Sequence, residues 1–320
     1  MKAAIINGFG EVPHYGNFPD PMANQNNILI TVKAAVLENF DKGTASGKHY
    51  SSHKLFPSFP AVVGNDGVGL TPDGQLVMFR DIPTPHGAFA EKTVAERVVP
   101  VPEGISAAQA TAIPPSALTS LLPLKYSAKL KPGENVLING ATGVSGRIAI
   151  QIAKMLGAGR ITGTGRNKQS LEAILQLGAD EVIDLNQSEE DLAGAFRSAE
   201  AIRKYDVVLD FIWGHPAEVL ISTFIPREAG FAKRNIRYVQ IGAKAGLDIK
   251  LPGSALRTSG LQLMGIGQIS DEILMNELDL IWNWIRQGRL YMDIEEVPLA
   301  DIADAWQRDD LAGKRLVIVP

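Results

Sequence analysis

The sequence contains no cysteine. Disulfides, thiolate zinc sites, iron–sulfur clusters and cysteine nucleophiles are excluded together. It also lacks any apolar run approaching the roughly 20 residues that a membrane-spanning helix needs. The opening Met1-Lys2-Ala3-Ala4-Ile5-Ile6-Asn7-Gly8 is too short an apolar stretch for a signal-peptide core. The expected location is therefore cytoplasmic, with no membrane partner. No long basic run is present to track a phosphate backbone, and the net charge is −4, so nucleic acid is not an expected partner. Histidine is scarce: His14, His49, His53, His86 and His215 are all there is, and only His49 and His53 have the spacing of a ligand pair. That pair falls in a Ser-rich stretch that reads as solvated loop, so no metal site is expected.

The chain has 320 residues, 45% of them hydrophobic, enough to bury two cores. Its first third reads as irregular β structure. Strand-like runs at 28–34 and 75–79 are set among turn residues, with Pro57, Pro60, Pro72, Pro83, Pro85, Pro100 and Pro102 as punctuation. This predicts a barrel-like β domain. The pattern changes near Ser106, which reads as a helix cap, with a further helix expected over 118–125. Strands and helices then alternate. Strands are expected over 135–139, 160–164, 181–184, 206–211 and 238–242, and helices over 144–156 and 168–177. Short runs rich in Val and Ile suit strands covered on both faces, and the alternation predicts a parallel sheet with right-handed crossovers. A long helix over 271–287 and a last strand over 315–319 complete the reading.

One motif carries chemistry. Strand 135–139 runs directly into Gly140-Ala141-Thr142-Gly143-Val144-Ser145-Gly146, and a helix follows. Missing side chains let the backbone turn tightly and approach an anion. The free N–H groups and positive dipole of the helix N-terminus then suit a dinucleotide's diphosphate. The next strand ends without the acid that usually binds the ribose of NAD. It reads Gly163-Thr164-Gly165-Arg166-Asn167-Lys168 instead. A guanidinium binds a 2′-phosphate through charge-assisted hydrogen bonds, whereas a carboxylate repels it. The expected cofactor is NADPH.

The order of a β-rich part, a glycine turn near residue 140 and a doubly wound sheet resembles the medium-chain dehydrogenase/reductase superfamily, in its zinc-independent quinone oxidoreductase-like branch. The resemblance runs nearly end to end. Its marks include Phe59-Pro60-Ala61-Val62-Val63-Gly64-Asn65-Asp66-Gly67-Val68-Gly69, Gly87-Ala88-Phe89-Ala90-Glu91, Leu130-Lys131-Pro132-Gly133-Glu134, Leu177-Gly178-Ala179-Asp180 and Gly313-Lys314-Arg315. It implies an α/β protein: a GroES-like β-barrel substrate domain over 1–120, completed by 267–320, and a Rossmann doubly wound parallel-sheet domain over 121–266. It also implies a homodimer.

Zinc-dependent members of the superfamily carry Gly-His-Glu where this chain has Gly64-Asn65-Asp66, and an amide is a poor zinc ligand. Without a Lewis acid, a quinone or an α,β-unsaturated carbonyl is the easier hydride acceptor, because the developing charge spreads and needs only hydrogen-bond donors and a proton route. The branch's Leu-Asn-x-x-Asp motif and following Tyr correspond here to Leu37-Glu38-Asn39-Phe40-Asp41 and Tyr50. The resemblance thus implies Tyr50, Asn39 and Asp41 as the catalytic set, with Glu38 standing where the family has Asn. It also implies cofactor contacts from Thr119, Gly140, Thr142, Gly143, Val144, Gly146, Arg166, Asn167, Lys168, Phe211, Ile241, Gly242, Gly265 and Ile266, with Trp213 beside them. Two alternatives stay open: an NADPH-binding protein without catalysis, and an alcohol or aldehyde dehydrogenase of the same superfamily. A Tyr-x-x-x-Lys match at Tyr50 and Lys54 precedes the glycine turn by some 90 residues, against the order in short-chain dehydrogenases, and is read as chance.

Overall fold

The computed structural model describes residues 1–320 apart from Ala229 and Asp310. It divides into two compact units, Met1–Pro115 with Trp282–Pro320, and Ser116–Ile281. The sequence reading set these divisions at 120/121 and 266/267. Helices Ala107–Leu122 and Asp271–Arg286 each run through a division.

The first unit is built from strands β1 (Lys2–Ile6), β2 (His14–Asn17), β3 (Ile28–Val36), β4 (Ala61–Val62), β5 (Asp66–Leu70), β6 (Leu76–Arg80), β7 (Lys92–Ala95) and β8 (Arg97–Pro100). Along β3, Ile30, Val32 and Ala34 are buried while Thr31 and Lys33 are exposed, the period of two that a half-covered strand demands. One sheet runs β2-β1-β4. The chain's last two strands join the other. The second unit contributes β9 (Asn135–Asn139), β10 (Arg160–Gly165), β11 (Glu181–Asp184), β12 (Val207–Asp210), β13 (Ile236–Gln240) and β14 (Leu261–Met264). Then β15 (Ile294–Pro298) and β16 (Arg315–Val319) return to the first unit, where the order is β15-β16-β3-β5-β6-β8, with β7 also on β3. All pairs here are antiparallel except β15 with β16. Ile30, Val32, Phe79, Phe89, Leu316 and Ile318 pack in its core.

The second unit is a parallel sheet in the order β11-β10-β9-β12-β13-β14. The chain winds outward from β9 in one direction through β10 and β11, then from β12 in the other. The carboxyl ends of β9 and β12 therefore flank a topological switch point, the place where open α/β sheets bind ligands. All four residues of β12 are buried, as expected for a strand covered on both faces. Leu137, Phe196, Val208, Leu220 and Phe224 fill one side of the sheet.

Local signals set the helices. Asn167 caps Lys168–Leu177 by accepting from the Ser170 amide at 2.9 Å, and Gly178, at φ 113°, ends it in the left-handed conformation. Ser188 caps Glu189–Ile202, whose first turn carries Glu189, Glu190 and Asp191 against the positive helix end.

Two sequence expectations are corrected. The separate helices expected near Ser106 and over 118–125 are one helix, Ala107–Leu122, followed by a π-helical turn, Pro123–Ser127. Pro114 and Pro115 lie inside it, and the burial of Ile113, Ala117 and Leu121 offsets the lost backbone bonds. The strand expected over 238–242 is Ile236–Gln240. The Ile241 amide makes the ladder's last bond, donating to the Asp210 carbonyl at 2.8 Å, and the Gly242 amide donates to the same oxygen at 3.1 Å, which turns the chain out of the ladder. Among the described residues no helix is long and apolar enough to cross a membrane.

Candidate functional site

The glycine turn sits at the switch point, between the end of β9 and helix Val144–Met155. Its three glycines do different work. Gly140 has φ 87°, and a Cβ there would lie 2.6 Å from Ile212 Cγ2. A Cβ on Gly146 would stand 2.4 Å from the Gly140 carbonyl oxygen, so that residue lets the helix close against the turn. Gly143 is the helix N-cap and is exposed; a Cβ on it would meet only the Gly140 oxygen, at 3.6 Å. Its outer side is open space at a helix N-terminus, the setting an anion needs. The residues present thus fit a diphosphate.

Thr142 folds back over β10: a Cβ on Gly165 would lie 2.3 Å from Thr142 Cγ2. Past Gly165, Arg166, Asn167 and Lys168 are all exposed. The Arg166 carbonyl accepts from Asn186 Nδ2 at 2.7 Å, which fixes its backbone and leaves the guanidinium outward. Asn167 spends its side-chain oxygen on the helix cap. Arg147, not anticipated from the sequence, donates from Nε to the Thr142 carbonyl at 3.1 Å, adding a third cation near this end of the turn.

The other expected cofactor residues gather at neighbouring strand ends. The Phe211 amide donates to the Asn139 carbonyl at 3.0 Å, and a Cβ on Gly242 would lie 2.4 Å from the Phe211 oxygen. Phe211 and Gly242 therefore stand shoulder to shoulder beside Gly140, with Ile241 between β13 and Gly242. A concavity next to them is lined by Trp213, Gln240, Leu247, Leu263, Met264 and Gly265. Trp213 holds φ 56° and meets the Tyr238 ring edge-on at 6.2 Å. Ile266 is tied to the π-helical turn, its carbonyl accepting from Ser127 Oγ at 3.0 Å. Thr119 donates to the Ser116 carbonyl at 3.0 Å, and its neighbour Ser120 donates to that of Ser145 at 3.3 Å, which brings this helix to the first turn of Val144–Met155.

Beneath the turn lies a set of polar residues that the sequence reading passed over: Asn139, Thr164, Asp210 and Tyr238, all fully buried. They sit on β9, β10, β12 and β13, four adjacent strands. Asn139 and Asp210 show in the sequence as a polar side chain closing an otherwise apolar run, whereas Thr164 and Tyr238 lie inside their strands without such a signal. Burial holds the Asp210 carboxyl above its ordinary value, opposed by hydrogen bonds from Tyr238, the Trp213 and Ile212 amides and Asn139.

The expected catalytic residues lie in the first unit and form no single hydrogen-bonded cluster. Asp41 is buried in helix Asn39–Ala45, with Oδ1 accepting from Asn65 Nδ2 at 2.6 Å and Oδ2 from the Glu38 amide at 2.8 Å. Asn39 opens the helix and is exposed. Tyr50 is 94% exposed, with its ring 4.0 Å from that of His49. His49 in turn meets Phe40, and His53 meets Phe9. Glu38, at the family's Asn position, pairs with Arg315 at 3.2 Å. Burial, then the Glu38 charge, pushes the Asp41 carboxyl up to about 7. Asp66 is raised by burial and by the charges of Glu38 and Asp41.

The donor set does not suit zinc. Asn65 is engaged by Asp41, there is no cysteine, and among the described residues no group of three or more His, Asp or Glu is placed to hold a metal.

The chain is similar to known dehydrogenases and reductases. A family model described as zinc-binding dehydrogenase matches residues 145–272, a segment within the parallel-sheet unit that does not reach Asn65. A chloroplastic quinone-oxidoreductase homolog of Spinacia oleracea is 33% identical over 311 residues, covering 91% of this chain and 87% of that protein. The trans-enoyl reductase pgmF of Aspergillus terreus is 26% identical over 232 residues, covering 70% of this chain and 62% of that protein. The fold matches the solved quinone oxidoreductase of Thermus thermophilus, which was also determined in complex with NADPH. The TM-score is 0.78 with 24% identity, over the full length of both chains.

Proposed function

Because this chain belongs to the medium-chain dehydrogenase/reductase superfamily, in its quinone oxidoreductase-like branch, we propose that it is an NADPH-dependent reductase of a quinone or an α,β-unsaturated carbonyl, acting without zinc. The observation that carries this reading is the pairing of an open Gly143 turn at the sheet's switch point with Arg166 and Lys168 where an acid would select NAD. The names of the relatives point the same way, one to quinone reduction and one to enoyl reduction.

A dinucleotide held in the cradle, NADPH on this reading, would supply a hydride. The chain's own residues do the rest. The amides of the Gly140–Gly146 turn and the dipole of helix Val144–Met155 neutralise the diphosphate. Arg166 and Lys168 take the 2′-phosphate. Phe211, Ile241, Gly242, Gly265, Ile266 and Thr119 hold the nicotinamide half. Tyr50 is the donor to the acceptor's carbonyl oxygen, and Asn39 and Asp41 complete the substrate side. The protein works as a cytoplasmic homodimer. One observation favours a second reading: Glu38 stands where the family has Asn, and its carboxylate pairs with Arg315. On that reading the chain binds NADPH without turning over.

Steady-state oxidation of NADPH with a panel of quinones and 2-enals separates the two. The first reading expects turnover with at least one class. Tight NADPH binding with no turnover on any member of the panel would sink it in favour of the second.

A further inference from the structure

The buried polar residues under the turn form an unbroken chain. The Gly140 amide donates to Thr164 Oγ1 at 2.9 Å, and Thr164 Oγ1 donates to Asn139 Oδ1 at 2.8 Å. Asn139 Nδ2 donates to Asp210 Oδ1 at 3.1 Å. The same oxygen accepts from the amides of Ile212 and Trp213, each at 2.9 Å. Tyr238 donates its hydroxyl to Asp210 Oδ2. Every proton has one assignment, because a carboxylate that receives four donors only accepts. That fixes the Asn139 amide orientation, which in turn fixes the Thr164 hydroxyl.

Four buried polar side chains on four adjacent strands are costly to desolvate unless all are satisfied. An apolar core would hold the sheet as well. What the network adds is position at two places. One end grips Gly140, the first residue of the glycine turn. The other grips Ile212 and Trp213, in a turn where Trp213 is held at φ 56°, a conformation its side chain disfavours. Ile212 packs where a Cβ on Gly140 would otherwise stand. The two turns are therefore set against each other through both bonds and packing.

We propose that the relay Tyr238–Asp210–Asn139–Thr164 is the positioning device of the cofactor site, which sets the diphosphate turn and the Ile212–Trp213 turn as one unit before ligand arrives. These are positioning residues: they act through the Gly140, Ile212 and Trp213 amides. The proposal rests on the dinucleotide-binding reading given above.

The test is the binding of two probes to the unaltered full chain and to Thr164→Val, Thr164→Ser and Tyr238→Phe. NADPH spans the diphosphate turn. Adenosine 2′-monophosphate has no diphosphate and reaches only the Arg166 end. Thr164→Val keeps the shape and removes the hydroxyl, leaving the Gly140 amide and Asn139 Oδ1 without partners. It should weaken NADPH about tenfold and change adenosine 2′-monophosphate by less than about twofold. Thr164→Ser restores the hydroxyl and should bring NADPH back to within about threefold of the unaltered protein. Tyr238→Phe touches no part of the glycine turn, yet should show the same selective loss, about threefold or more. It decides the matter if Thr164→Val does not fold. Equal losses for both probes, or lowered thermal midpoints with NADPH binding unchanged, would assign the network a structural role only and overturn the proposal. The cofactor reading fails separately, through an unaltered chain that binds no dinucleotide. That result overturns both.

Discussion

The Cγ2 methyl of Ile212 lies 2.6 Å from the point where a Cβ on Gly140 would stand, while the corresponding point on Gly143 meets nothing closer than the Gly140 oxygen at 3.6 Å. Two glycines of one motif therefore answer to different demands. Gly140→Ala has both a φ of 87° and a clash to absorb, and should lower stability by about 1–3 kcal/mol. Gly143→Ala should leave the thermal midpoint nearly unchanged and weaken NADPH, because its new methyl points to the space the diphosphate needs. Calorimetry and a fluorescence titration of NADPH on both variants check this. A Gly143→Ala protein that unfolds early but binds normally would contradict it.

Asp41 gives a pH dependence with a definite sign. Its carboxyl is pushed up to about 7 from an ordinary 3.8, chiefly by burial. Between those values the folded protein holds a proton that the unfolded chain has released. The stability it contributes is thus fully present below about pH 4 and is lost as the pH rises through about 7. Asn at this position cannot ionise. The thermal midpoint of Asp41→Asn minus that of the unaltered protein should therefore climb between pH 4 and 7, by about 5 °C or more, then level off. Asp66 is raised in part by the Asp41 charge, so removing that charge eases its upward shift and adds to the climb in the same sense. A difference that stays flat or falls over this range would show that Asp41 is ionised in the folded state throughout.

Tyr50, almost fully exposed, can be tested for function without disturbing the fold. Tyr50→Phe should keep its thermal midpoint. If the hydroxyl donates to the acceptor's carbonyl oxygen, kcat should fall about tenfold with KM within about twofold, the pattern of an interaction made mainly in the transition state. An unchanged kcat would leave the ring as pocket lining.

The Rossmann-type unit was legible because its signals are local. A buried strand, three glycines at fixed offsets and an amphipathic helix lie within about 20 residues of one another, and β9 and helix Lys168–Leu177 have the limits their sequences announce. Arg166 could be read by its distance from the turn. Helix Glu189–Ile202 has its own local signal, Ser188 followed by three acids. The relay under the turn was hidden for a physical reason. Asn139, Thr164, Asp210 and Tyr238 stand up to 99 positions apart in sequence, and only strand order brings them together. Helix Ala107–Leu122 carries Pro114 and Pro115 in its interior, where the burial of its apolar face outweighs a local rule for breaking helices. Asp41 reads in sequence as part of a substrate motif. That it also holds Asn65, at the position of the superfamily's zinc-ligating His, depends on a contact 24 residues away.

The central claim is that the chain binds NADPH at the glycine turn and that Arg166 reads the 2′-phosphate. Its most direct test is the dissociation constant of NADPH and of NADH for the unaltered protein and for Arg166→Ala. The unaltered protein should prefer NADPH. Arg166→Ala should weaken NADPH by about 1–3 kcal/mol, the scale of a lost charged hydrogen bond, and leave NADH unchanged. Equal losses for the two cofactors, or a preference for NADH in the unaltered protein, would contradict the account.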